Sequence, residues 1–206
     1  MRFDLLDNGI DSLKAVGDIL KDYYYDNEFE GYQIKDAVFH FMHGVEINMK
    51  YLLQEKDEKL IFTNERQYYE AKSQMEKEKL KSVFEANPEI KTIDVMTALK
   101  RLTNNTKIKV SKELNDSIDA IRLFRNHLMH YTVNLNDEEF AAHVNLLRNT
   151  FEKVLNLFKE NIPVFDGKFN NIDREEPETE YDRNSDALAD RAMDDYENGR
   201  NDPENY

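Results

Sequence analysis

A chain of 206 residues with 34% charged side chains, six glycines and four prolines has the make-up of a helical protein rather than a sheet-rich one. It has no cysteine, which excludes disulfides and thiolate zinc sites, and no run approaches the roughly 18 apolar residues that a membrane span needs. The net charge of −14 is uneven: residues 166–206 hold 14 acidic and 5 basic side chains, a net of −9, leaving −5 for the rest, so the body is only mildly acidic and nucleic acid stays open as a partner.

The opening Met1-Arg2-Phe3-Asp4 brings early charge and no apolar core of signal-peptide length, so a cytoplasmic protein without membrane contact is expected. Leu6, Leu13, Val16 and Leu20 define a first amphipathic helix that ends near Tyr23-Tyr24-Tyr25. After Gly31, a second carries Val38, Phe41, Met42, Val45, Met49 and Leu52 at helical spacing. Asn64 with Gln67 reads as a capping box for a third, running through Tyr68, Ala71 and Met75 to Asn87-Pro88. Ile93, Met96, Leu99 and Leu102 mark a short fourth, and the fifth spans Lys112 to about Tyr131.

A sixth opens at Asn136, with Glu139 in the capping-box position, and continues through Phe140, Val144, Leu147, Phe151, Val154 and Phe158 until Pro163 closes it. Leu60-Ile61-Phe62 and Ile108-Lys109-Val110 are strand-like but too short to build a sheet. The expectation is an all-α bundle of five to six helices over residues 1–163. Residues 164–206 form an acidic, partly disordered C-terminal extension, with a short helix after Ser185. Such a tail either solubilises the protein or docks on a basic face and competes with an anionic ligand.

The fifth helix departs from plain packing. Leu114, Ile118 and Ile121 start an apolar stripe, and the next inward position is Arg125, in the run Arg125-Asn126-His127-Leu128-Met129-His130. A cation there is costly unless an acid or an anionic ligand meets it. In a regular helix Arg125 and His130 point about 140° apart and lie about 7.5 Å apart along the axis. They converge only where the helix loosens or where two copies meet. Just upstream, Lys100, Arg101, Lys107, Lys109 and Lys112 occur with no acid among them, a basic approach suited to steering phosphate.

An Arg, a polar residue directly after it and a His a few places on, near the end of a late helix, resemble the HEPN superfamily. The segment Phe39-His40-Phe41-Met42-His43-Gly44-Val45-Glu46-Ile47-Asn48-Met49-Lys50-Tyr51-Leu52-Leu53 is similar to that family's early core helix, and the resemblance runs from Asp11 to Leu157. It implies a metal-independent endoribonuclease of toxin or antiphage type, needing no cofactor. It also implies a homodimer with facing motifs, RNA as substrate and a protein antitoxin or regulator as partner. By the same resemblance Arg125 and His130 are the catalytic pair, Asn126 supports them, and Glu46 and His127 are auxiliary. Thr132 stands where some members carry a modified tyrosine, so regulation through that residue is not implied.

The chemistry is coherent by itself. Attack by a ribose 2′-hydroxyl needs a base such as imidazole, whose ordinary pKa is about 6.5. It also needs a fixed cation on the developing phosphorane, which a guanidinium fork provides. The products are a 2′,3′-cyclic phosphate and a 5′-hydroxyl. Two other readings stand beside this one. His40, His43, Glu46, His127 and His130 recur at intervals of three on two helices, as metal ligands of a carboxylate–histidine bundle do. Otherwise the bundle is a non-catalytic dimerisation or partner-binding module, with Arg125 neutralised by Glu46 or Asp119.

Overall fold

The computed structural model describes residues 4–26 and 31–172, and within them the protein is an all-α bundle. The helices are α1 (Leu5–Asp26), α2 (Gly31–Lys56), α3 (Glu65–Glu78), α4 (Val83–Ala86), α5 (Val95–Asn105), α6 (Lys112–His130), α7 (Asp137–Asn161) and α8 (Phe165–Asn171). The six long ones are those expected from the spacing of apolar residues; α4 and α8 are additions. Residues 173–206, and with them the expected disordered stretch and the helix after Ser185, lie outside the described residues.

The third helix stops earlier than its pattern suggests. Lys79 takes a left-handed conformation, φ 56°, and its N–H and that of Leu80 both return to the Met75 carbonyl. Ser82 then opens α4 by accepting from the Glu85 N–H. The charged run around Lys77–Lys81 offers little apolar surface to extend the helix, so a local cap wins. Asn64 does cap α3, accepting from the Gln67 N–H, and Asn136 with Glu139 forms the expected reciprocal box on α7. The strand-like Leu60–Phe62 gives a 3₁₀ turn and a single antiparallel bridge from Phe62 to Thr92.

α2 is the central helix. It packs against α1, α5, α6 and α7, so its buried residues ring the axis instead of keeping to one face. The closest of these approaches, to α1, depends on two glycines. A Cβ on Gly44 would stand 2.7 Å from Leu13 Cγ and 3.1 Å from the Gly9 carbonyl oxygen; one on Gly9 would stand 2.5 Å from the Asn48 amide nitrogen. Gly44→Ala gains about 1 kcal/mol of helix propensity. It also forces two backbones apart, and overpacking of this kind costs about 1–3 kcal/mol or more. Urea unfolding should therefore show Gly44→Ala to be less stable than the wild type; a more stable variant would mean the two helices can separate without penalty.

The bundle also runs past Pro163. Ile162 and Phe165 are buried, α8 packs on α1 and α7, and the compact unit ends at Ile172 rather than at residue 163. The aromatic ring of Phe165 makes α8 part of the core.

Candidate functional site

α6 forms because Ser111 caps it, its side chain accepting from the Leu114 N–H, and because Leu114, Ile118, Ile121 and Phe124 make one buried stripe. Phe124, not Arg125, takes the last packing position. That leaves Arg125 half-buried on the edge of the stripe, in the wall of a cleft of about 930 Å³. The other walls come from α1 (Ser12), α2 (Phe39, His40, Met42, His43, Glu46), the start of α5 (Asp94, Val95, Met96) and, on α6, Arg122 and Asn126.

The polar groups of this cleft are unequally satisfied. Arg122 is held by Asp119, with Nη2 2.7 Å and Nε 2.8 Å from one carboxylate oxygen. Glu46 accepts from Lys50 Nζ at 2.6 Å, and that ammonium, 5% exposed, also donates to Thr92 Oγ1 at 2.9 Å. Glu46 and Asp119, the two acids that the sequence suggests as partners of Arg125, are thus engaged with other cations. Arg125 stacks its guanidinium 5.6 Å above the Phe39 ring and, among the described residues, donates to Asn126 Oδ1 at 3.3 Å. Its Nε is buried and meets no hydrogen-bond partner among the described residues. A buried donor left in this state is destabilising unless a ligand completes it. Asn126, on the adjacent edge, turns its carbonyl oxygen to the guanidinium.

Two further predictions attach to these walls. Removing Glu46 leaves the buried Lys50 ammonium with a hydroxyl alone, so Glu46→Ala should lose on the order of 3 kcal/mol in urea unfolding. Glu46→Ala combined with Lys50→Met should recover most of the loss; no recovery would mean Glu46 acts through something other than this pair. Asp94 caps α5, and the Thr97 N–H chiefly, with Arg122 adding, holds its carboxyl below the usual carboxylate range. Its contribution is therefore present at neutral pH and fades as pH falls through that lowered value. Asp94→Ala should cost about 1 kcal/mol at pH 7, and the gap to the wild type should close in acid.

The histidines of the motif lie elsewhere. α6 remains regular to the end, the Tyr131 N–H donating to the His127 carbonyl at 2.9 Å, so His130 diverges from Arg125 by about 140°. His127 and His130 are exposed, and His127 meets the edge of Tyr131 at 6.4 Å beside a shallow hollow formed with Thr132, Val133 and Asn134. A single chain therefore brings together Arg125, Asn126 and Glu46, and does not bring His130 or His127 to them.

The basic approach is only partly a surface. Arg101 donates Nη1 to the carbonyls of Leu60 and Phe62 at 2.7 and 2.8 Å, which ties the 3₁₀ turn to α5 and gives this cation a structural contact as well. Lys112 is exposed and pairs with Asp116 on the next turn. Lys100, Lys107 and Lys109 are exposed. Lys100 and Lys112 border a second hollow, of about 480 Å³, with Met96, Asn104 and Asn115.

Spacing alone did not single out the pair on the α1–α2 side. Ser12 is 4% exposed; its Oγ lies 2.8 Å from His43 Nδ1 and 3.1 Å from the Asn8 carbonyl. Arg122, three residues before Arg125, was visible in the sequence as a second cation on the same helix edge. Among the described residues no three His, Asp or Glu side chains gather where they could hold a metal ion, so the interval-of-three pattern does not converge on a point.

Fold and site together define a small helical bundle with a cation-walled, aromatic-edged cleft between its central helix and its motif helix. No family model, curated protein or solved structure matches the chain.

Proposed function

We propose that this protein is a metal-independent endoribonuclease whose reactive centre is completed by a second copy of the chain. The observation that carries the reading is the Arg125 guanidinium: half-buried in a large cleft, stacked on Phe39, with a buried Nε that has no hydrogen-bond partner among the described residues. A phosphodiester in the cleft supplies acceptors for the terminal nitrogens of this fork, and the charge that grows on the phosphoryl oxygens during attack by the 2′-oxygen strengthens the contact. Asn126 steadies the guanidinium, and Lys100, Lys107 and Lys109 supply attraction along the approach.

The divergence of Arg125 and His130 along α6 supports a two-chain site. A histidine that leaves its own cleft can serve the cleft of a neighbour. The exposed apolar side chains Leu123, Met129 and Tyr131 around the same helix end offer the surface on which two copies would meet. The test is incubation of the purified protein with mixed cellular RNA in excess EDTA, beside His130→Ala. Cleavage by the wild type with cyclic-phosphate ends, lost in His130→Ala, is the expected result. RNA left intact by the wild type would overturn the reading and favour a bundle that only binds.

A further inference from the structure

The cleft that holds Arg125 also contains a histidine, His43, whose ring meets a buried serine. Ser12 has one hydroxyl proton and two neighbours. The Asn8 carbonyl can only accept; with the hydroxyl proton directed to it, the 2.8 Å contact to His43 is made by an imidazole N–H, Nδ1 donating to Ser12 Oγ. A neutral imidazole protonated on Nδ1 carries its lone pair on Nε2. The arrangement is well supported from behind. Ser12 is buried on α1, and Gly44, the residue after His43, lies where α2 packs tightly against Leu13 and Gly9 of α1.

We propose that His43 is a proton-transfer residue of the same centre, its Nε2 accepting the ribose 2′-hydroxyl proton while Arg125 holds the adjoining phosphate. This rests on the ribonuclease reading and adds to it the group that generates the nucleophile. In the step, His43 Nε2 takes the proton from the 2′-oxygen and the 2′-oxygen forms its bond to phosphorus. The bond from phosphorus to the 5′-oxygen breaks, and the departing 5′-oxygen takes a proton from the His130 imidazolium of a second copy. His43 then releases its proton to water. Ser12 is a positioning residue: it touches no substrate and acts by holding the ring in the tautomer that leaves Nε2 unprotonated.

The informative variant is His43→Asn. Its amide can donate to Ser12 as Nδ1 does, so the tie between α1 and α2 survives while the proton acceptor is lost. With wild-type RNA cleavage in EDTA as the reference, His43→Asn should unfold in urea like the wild type and cleave about 10²–10⁴-fold more slowly. Nitrogen-15 NMR of the wild-type histidines above neutral pH should show His43 protonated on Nδ1, and Ser12→Ala should shift it toward the Nε2-protonated form. Undiminished cleavage by His43→Asn, or a wild-type His43 protonated on Nε2, overturns this assignment and leaves the ribonuclease reading standing. Absence of cleavage by the wild type overturns both.

Discussion

Arg125→Ala should lower RNA cleavage by about 10²–10³-fold, the usual effect of removing one preorganised group from a developing oxyanion, and leave the bundle as stable as before. The two halves of that result have one cause. If Arg125 were a structural cation paired across the core, its removal would strand a buried carboxylate and cost about 3–5 kcal/mol. The acids that could have filled that role, Glu46 and Asp119, are bonded to Lys50 and Arg122. What Ala removes is a stacking contact with Phe39 and a buried Nε that the protein leaves unsatisfied. Arg125→Lys should recover little, because an ammonium keeps the charge and loses the planar fork. Cleavage rates and urea midpoints of the three proteins decide the matter. A large drop in stability with activity retained in the surviving folded fraction would make Arg125 a packing residue.

Arg125→Ala combined with His130→Ala reports on the origin of the histidine. Because His130 points away from its own cleft, a dimer containing one Arg125→Ala and one His130→Ala chain keeps one complete set of groups, the arginine from one chain and the histidine from the other. Mixing the two inactive proteins under conditions that allow exchange should restore part of the activity. A mixture as inactive as its components would place both groups of a site in one chain, against the regular course of α6.

The helices were legible in the sequence wherever one apolar stripe met one neighbour. α6 and α7 begin and end within a residue or so of their expected positions, because Ser111, Asn136 and Pro163 are local signals that tertiary packing does not overrule. α2 was recognisable as a helix but not as the central one: its ring of buried side chains includes Asn48 and Lys50, which periodicity alone assigns to a polar face. The early stop of α3 depends on a left-handed lysine, and lysine carries no sequence signal for that conformation.

The site was legible in part for the same reason. The conflict of an arginine beside an apolar stripe can be read from one helix, and it led to Arg125. Which acids are already engaged, and that Ser12 meets His43 across 31 residues, are facts of packing between helices that no single-helix pattern contains. Arg101 shows the converse. Its place in a basic run points to a phosphate contact, while its Nη1 also satisfies two carbonyls in the turn before α3, a contact that no local pattern contains.

Phe165→Ala should destabilise the protein by about 3–5 kcal/mol, the range for deleting a buried aromatic ring, although the residue follows the proline that ends the last long helix. Its ring is fully buried, 5.7 Å from Phe158 and stacked 5.9 Å from Phe169, and α8 is fastened on both sides by Lys168 to Asp7 and by Lys159 to Asp166. The two ion pairs are exposed and contribute little; the ring fills volume that nothing else can occupy. A protein ending at Val164 should therefore unfold at lower urea than the whole chain, while one ending at Ile172 should match it. This decides how the acidic residues 173–206 can be tested for competition with RNA. Faster cleavage by the protein ending at Ile172 is the result expected of a competing tail, and equal rates would reduce the tail to a solubilising role. The same comparison made at Val164 would confuse loss of the tail with loss of the core.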